Sequence, residues 1–512
     1  MLQKLPIGIQ TFSEIINEDY LYVDKTRHIY SLLRSGKYFF LSRPRRFGKS
    51  LTLSTIAFIY RGERELFKGL WIEENWDWQK IHPVLHISFS SVDYQGSGLE
   101  NAIKQMLTFQ GAQHGVTLEN ETIKTMFAEL IRKLSASGKV VILIDEYDKP
   151  IIDYVEDTAQ ASENRDLLKT FYSVIKDSDP HIEFLLLTGV SKFSKVSIFS
   201  ELNNLTDITI HRHFTDLTGY TQTELEESFA PYMSEAESLL ELDRLELLAQ
   251  LRHWYNGYSW DGRTYVYNPF SILNFFQKAD FRNFWFETGT PTFLLKLLKE
   301  QWLYKLDNLT VSEQTFSSYD IEYLQAIPIL FQTGYLTIKE KRDFGIYVLD
   351  YPNAEVKESL LSYIISDLRN EQTALTKPMV IQLYEAFNAN DIERVIKLIK
   401  SIFKNIPSHI FLSQAEAYYH SLIYLVFFYL GQYAESEVNT SDGRLDCVVQ
   451  SPTHIYILEF KLDESADAAL AQIKARGYAE KYAADRRPKV LLGINFSREQ
   501  KTVAGWEMAR VE

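Results

Sequence analysis

Residues 37–60, KYFFLSRPRRFGKSLTLSTIAFIY, decide how the first part of this chain folds. KYFFLS (37–42) is an aromatic and aliphatic run of strand length, and LTLSTIAFIY after Ser50 has the apolar spacing of a buried helix. The segment between them therefore joins a strand to a helix N-terminus, where unpaired N–H groups and the positive end of the helix dipole face an anion. Gly48 lets the backbone come close to such an anion, Lys49 is placed to reach β- and γ-phosphates, and Ser50 is placed to ligate Mg²⁺. These are the last residues of a Walker A phosphate-binding loop. Its usual first glycine is replaced by Arg43, so the turn must be made with Pro44 and with backbone conformations open to arginine.

A second stretch supplies the partner. In KVVILIDEYDKP (139–150), the apolar run Val140 to Ile144 predicts a fully buried strand that ends in Asp145 and Glu146, a Walker B pattern. Asp145 would hold Mg²⁺ through water and Glu146 would polarise the attacking water. Read alone, the two acids simply start the next loop; the paired motifs, each in its expected context, favour the nucleotide site. IEFLLLTGVSKFS (182–194) is a further strand whose end offers Thr188 or Ser191 as a γ-phosphate sensor, with turn chemistry around Gly189 as the alternative. Strands near 38, 84–90, 140–144 and 182–188, separated by helical patterns, predict a parallel α/β sheet with ligands at its carboxyl edge. The expected nucleotide-binding set is Arg45, Arg46, Phe47, Gly48, Lys49, Ser50, Leu51, Asp145 and Thr188.

Composition bounds the rest. At 512 residues the chain is expected to hold two to four domains, and 46% hydrophobic with 24% charged residues is ordinary for a globular protein. The net charge of −14 repels polyanions, so any nucleic-acid contact must be local. Basic residues cluster at 37–64 and 474–489, and each cluster alone reads as a solvated face. The start of the chain lacks the pattern of a secretory signal, and the longest apolar run, 422–430, is far short of the ~20 residues that span a bilayer. With a single cysteine, Cys447, these features predict a cytoplasmic protein without a membrane partner.

From about residue 215 the pattern turns helical. Thr221 and Glu224 form a capping-box pattern, and Asn268-Pro269 and Thr290-Pro291 read as helix starts. His211 and His213 read as a polar strand end. AIPILFQTGYLTIKEKRDFGIYVLDYPN (326–353) reads as a helix and a two-stranded wing used for packing.

In GRLDCVVQSPTHIYILEFKL (443–462) two strands flank the turn residues Ser451 and Pro452. Alternation puts Glu459 and Lys461 on one face, with Asp446 able to approach Glu459 across the hairpin. A divalent cation would relieve the repulsion of the two carboxylates and activate a water against a phosphodiester, with Lys461 orienting that water or stabilising developing charge. An ordinary Glu459–Lys461 surface pair is the plainer reading of the spacing alone.

LPIGIQTFSEIINEDYLYVDKT, FLSRPRRFGKSLTLSTI, VVILIDEYDKPI and YNPFSILNFF together resemble the bacterial AAA-ATPase-like family, in which an arginine-rich RPRRFGKS loop replaces the glycine-first form. The resemblance implies that Ile7-Gly8 and VDKT (23–26) line the nucleotide pocket. The Asp446…Glu459-x-Lys461 hairpin is similar to the PD-(D/E)xK nuclease superfamily domain found at the C-terminus of the same family, with Gly443-Arg444-Leu445-Asp446 in place of Pro-Asp. That likeness implies Glu416 as an acid on the preceding helix, Gln472 on a following helix that also carries Tyr478, and Glu437 as a reserve ligand. Metal ligands are then Ser50 and Asp145 at one site and Glu416, Asp446 and Glu459 at the other; the catalytic set is Glu146, Asp446, Glu459 and Lys461.

The expected fold is α/β and multidomain: an additional-strand, AAA-like P-loop NTPase sheet over 1–215, a helical and winged-helix-like region over 216–375, and a restriction-endonuclease-like domain over 376–512. The expected activity is ATP hydrolysis with Mg²⁺, joined to cleavage of nucleic acid, DNA ahead of RNA, with Mg²⁺ or Mn²⁺. A homo-oligomer is compatible with this reading, and Arg212 is the one arginine that suggests itself as a finger. The rival expectation is a nucleotide-switched binding or remodelling protein whose nuclease fold is inactive.

Overall fold

The computed structural model describes residues 2–192, 204–285, 292–316, 324–403, 415–431, 435–441, 444–500 and 502–511. The chain divides into two compact units, Met1–Leu297 with Leu306–Val356, and Leu298–Lys305 with Lys357–Glu512.

The first unit is built on five strands: β1 (Tyr38–Ser42), β2 (Val84–Ser88), β3 (Val140–Asp145), β4 (Ile182–Gly189) and the short β5 (Thr206–Asp207). Their order is β2-β3-β4-β1-β5 and every pairing is parallel. Strand β4 thus lies between the strand before the arginine-rich loop and the strand that ends in Asp145, the additional-strand order. Every residue of β1 and β3 is buried, as expected for parallel strands covered on both faces. The helix Lys49–Tyr60 packs its apolar residues into the core formed with Phe39, Leu41, Val141, Leu143 and Leu186. β5 was not legible in the sequence, because two residues carry no periodicity.

Middle helices complete this unit. The capping box at Thr221 and Glu224 is formed, and Asn268 caps the helix Pro269–Lys278 by accepting from Phe270 and Ser271 N–H. The expected start at Thr290-Pro291 lies outside the described residues. His211 and His213 fall in a turn after β5 and not in a strand end. The wing is present as β7 (Thr337–Arg342) and β8 (Ile346–Asp350) after the helix Ala326–Thr333, and β6 (Leu309–Ser312) extends it to three strands.

The second unit holds a mixed sheet of β9 (Glu435–Ser441), β10 (Arg444–Gln450), β11 (Ile455–Leu462), β12 (Lys489–Ser497) and β13 (Thr502–Val511), in the order β13-β12-β11-β10-β9. Only β11 and β12 pair in parallel, joined through the helix Ala466–Ala475. The helix ends before Gly477 (φ 63°), so Tyr478 begins a separate 3₁₀ turn and does not share the helix of Gln472, contrary to the sequence expectation. Among the described residues no helix is long and apolar enough to cross a membrane.

Candidate nucleotide and metal sites

The strand order brings three chain-distant side chains to one point. Ser50 at the start of its helix donates to Asp145 at the end of β3, and Thr188 on the intervening β4 donates to the other oxygen of the same carboxylate at 2.6 Å. The Glu146 N–H adds a bond at 3.0 Å. Asp145 is 4% exposed, and these donors offset the cost of burying its charge. A hydroxyl and a carboxylate converging beside a helix N-terminus are hard oxygen donors of the kind Mg²⁺ takes, so the residues fit that ion. Ser191, the other candidate sensor, is engaged elsewhere and donates to Asp148.

Lys49 is buried, and its ammonium donates to the carbonyls of Arg43 (3.0 Å) and Pro44 (2.9 Å). Burial pushes its pKa down, against the pull of Asp145, Asp148 and Glu146. Gly48 has φ 83°, a conformation costly for any side chain, although a Cβ there would meet nothing within 4 Å. Backbone conformation, not crowding, requires this glycine.

Arg43 explains the departure from a glycine-first loop. It is fully buried, donates to the carbonyls of Ser42 (2.9 Å), Thr209 (2.8 Å) and Phe214 (3.0 Å), and lies 3.8 Å from the Trp260 ring centroid. Burial lowers its pKa to about 9, opposed by Asp207, Asp216 and Asp261, so it stays charged at neutral pH. Its guanidinium therefore acts as a brace for the loop base. The turn itself is made by Arg46, whose φ of 65° is left-handed and whose guanidinium lies 3.8 Å from the Phe270 ring centroid. Arg45 and Arg46 are exposed, while Phe47 is fully buried against Tyr258 and Trp260.

A cleft opens beside Gly48, Leu51 and Thr52. Its walls are mainly apolar, with Leu21, Tyr22, Val23, Ile29, Leu217 and Pro269 among them. Val23 and Lys25 of VDKT line it, and Pro6 does so where Ile7-Gly8 was expected. Lys25 is held by Glu224 (2.6 Å) and the Asp216 carbonyl (2.9 Å), which ties the cleft to the capping box. Burial lowers the Lys25 pKa and Glu224 opposes the shift.

Glu146, at φ 50°, accepts from Ser90 beyond β2. Sequence reasoning missed Ser90, which has no motif around it, and Asp148. The latter is 1% exposed and accepts from Val190 N–H (3.0 Å), Ser191 N–H (2.7 Å) and Ser191 Oγ (2.8 Å); burial raises its pKa. The third acid of Asp-Glu-Tyr-Asp was its available signal. Lys192 is buried and pairs with Asp207 at 3.0 Å. Arg212 is exposed and donates to His213.

In the second unit, Asp446 stands directly opposite Glu459 in the β10–β11 register, as expected, and Glu459 also pairs with Gly493 on β12. The side chains of Glu416, Glu437 and Asp446 lie outside the described residues. Glu459 is 0% exposed and accepts from Gln472 Nε2 at 2.6 Å. Gly493 makes that approach possible: a Cβ there would lie 2.3 Å from the Ala466 carbonyl oxygen and 2.7 Å from Leu470 N. Lys461 reaches Glu464 at 3.6 Å. The Glu459 carboxylate is a hard oxygen donor of the kind Mg²⁺ takes. Among the described residues no three His, Cys, Asp or Glu side chains gather as a metal cluster. In the basic run, Arg487 is bound to Asp485 and holds the hairpin end through Gln450 and the Ser451 carbonyl, while Lys489 donates to the Asp485 carbonyl.

A family model described as predicted AAA-ATPase matches residues 6–199, and one described as PD-(D/E)XK nuclease superfamily matches residues 414–506. A relative described as an uncharacterized protein in the vnfD 5′ region of Azotobacter chroococcum mcd 1 is 43% identical over 519 residues, covering 98% of each chain. The chain belongs to the predicted AAA-ATPase family and carries a PD-(D/E)XK nuclease superfamily domain at its C-terminus.

Proposed function

We propose that this protein hydrolyses ATP at the carboxyl edge of its parallel sheet and cuts nucleic acid, DNA ahead of RNA, at the Glu459 hairpin. The observation that carries the first part is the meeting of Ser50, Asp145 and Thr188 beside buried Lys49. Lys49 would exchange its loop carbonyls for β- and γ-phosphate oxygens, and the apolar cleft beside Gly48 would take the base. Ser50 and Asp145 would hold Mg²⁺, which supplies charge neutralisation on the phosphates. Glu146 would accept a proton from the attacking water after leaving Ser90, and Thr188 keeps Asp145 fixed while it does so.

At the hairpin, Asp446 and Glu459 would hold Mg²⁺ or Mn²⁺, and Lys461 would orient a water or stabilise charge on the phosphate. A switch or remodelling role with an inactive nuclease fold is the second reading. It is favoured by the full burial of Glu459 under Gln472 and by the Lys461–Glu464 pair.

The test is cleavage of linear and circular DNA and structured RNA with Mg²⁺ or Mn²⁺, with and without ATP. Wild type is compared with Lys461→Ala and Lys49→Ala. Cutting by wild type and none by Lys461→Ala is the expected result. ATP turnover that depends on Lys49 with no cutting of any substrate would select the switch reading, and absence of both activities would sink the proposal.

A further inference from the structure

Glu355 lies in the first turn of the helix that starts at Ala354. Its carboxylate is fully buried and accepts three hydrogen bonds: Phe284 N–H at 2.7 Å and Trp285 N–H at 2.9 Å on one oxygen, and Ser271 Oγ at 2.8 Å on the other. Both anchored segments lead to the arginine-rich loop. The Trp285 indole donates to the carbonyl of Arg45 at 3.2 Å and packs on Tyr335 with ring centroids 5.3 Å apart. Phe270, next to Ser271, lies under the guanidinium of Arg46.

Two consecutive loop residues are therefore set by two segments that a single carboxylate holds together. A loop that turns through a left-handed arginine gains little rigidity from its own sequence, and outside support has to supply it. An indole N–H on a carbonyl and a ring face under a guanidinium are such support. Buried charge is expensive to keep, so a carboxylate at this position has to return that cost in geometry.

We propose that Glu355 is a positioning residue for nucleotide binding, acting through Trp285 and Ser271-Phe270 on Arg45 and Arg46. It makes the first turn of the helix Ala354–Arg369 part of the support of the nucleotide site. The inference rests on the nucleotide reading above and extends it to residues about 300 positions away in the chain.

The experiment measures the affinity of the full chain for a fluorescent Mg·ATP analogue, together with KM and kcat for ATP, in wild type, Lys49→Ala, Trp285→Phe, Glu355→Gln and the double variant. Phenylalanine keeps the ring packing and removes the indole N–H; glutamine keeps the shape of the carboxylate and removes its charge. Trp285→Phe, which cuts one arm, is expected to weaken binding about 5-fold and Glu355→Gln, which releases both, about 25-fold, each raising KM while kcat stays within about 2-fold; Lys49→Ala is the control that loses nucleotide binding. The double variant of Trp285 and Glu355 should stay near the effect of Glu355→Gln alone and not multiply to about 125-fold, because the indole arm is already released when Glu355 is replaced. A structural role alone would lower the melting temperature and leave affinity in the cold unchanged.

Unchanged affinity in Trp285→Phe, or multiplying effects in the double variant, overturns the proposal. No binding by wild type would instead remove the nucleotide reading on which it rests. If Glu355→Gln fails to fold, Trp285→Phe combined with Ser271→Ala takes its place. Those two act on different arms, so their effects should multiply, and an effect of neither rejects the proposal.

Discussion

The loop around Lys49 and the hairpin around Glu459 both bring charge into an apolar sheet, and they keep it there by different means. Around the loop, charge is spread over many partners: Arg43 on three carbonyls, Lys49 on two, and Asp145 on Ser50, Thr188 and a backbone N–H. At the hairpin the buried Glu459 carboxylate accepts from the Gln472 amide, on a helix whose backbone packs close against Gly493. The first arrangement is over-determined, so its residues bear on stability as well as on chemistry.

The largest expected effects compare the two carboxylates. Glu146→Gln should lower ATP turnover by about 100-fold or more while nucleotide binding remains, the scale of a lost general base. Glu459→Gln should abolish metal-dependent cleavage while folding persists, since the glutamine carbonyl can still accept from Gln472. Turnover assays and metal titration calorimetry read these directly. Retained cleavage in Glu459→Gln would break the comparison at the hairpin.

Stability should move the other way. Arg43→Gly restores the residue usual at the start of such loops yet strips donors from three carbonyls, and should destabilise the first unit by about 3 kcal/mol in urea unfolding. A stable Arg43→Gly protein would show that the guanidinium is not the brace described above. Smaller again, Gly493→Ala should cost about 1–3 kcal/mol through overpacking against the helix Ala466–Ala475, and should weaken metal binding at Glu459 by lifting Gln472. Gly48→Ala should cost about 1–2 kcal/mol by strain alone, since its Cβ meets nothing.

The smallest differences lie in acid. Glu129 is held low, to about 2, chiefly by Lys133 and then by Asn120, and Asp485 is held to about 2 by Arg487. Each depressed carboxyl stabilises its unit above its unfolded pKa, and that contribution fades as pH falls from about 4 towards 2. Glu129→Gln should flatten the acid limb of the first unit's unfolding curve, and Asp485→Asn that of the second. An unchanged acid limb in either variant would mean that the corresponding contacts add nothing.

Much of this was legible before any coordinates. The apolar runs before Pro44 and Asp145 mark buried parallel strands, because only a strand covered on both faces can be apolar throughout. The Asp446–Glu459 register followed from the turn at Ser451-Pro452 and the two-residue side-chain period. The likeness to the nuclease domain puts Tyr478 on the helix of Gln472, and Gly477, whose positive φ follows the end of that helix, separates the two. Ser90, Trp285 and Glu355 were not legible, since each takes its meaning from a partner far away in the chain.

By itself the sequence determined which residue types meet at strand ends: a lysine and serine after one glycine, paired acids after one apolar strand, and a Glu-x-Lys on another. Those depend on local periodicity and on backbone conformations that few residues adopt. Only the tertiary structure decided that Arg43 braces the loop, that Thr188 reaches Asp145, that Gly493 admits Gln472, and that Glu355 holds the two segments touching Arg45 and Arg46. Buried polar groups must find partners wherever the packed chain supplies them, and linear spacing carries no record of that choice.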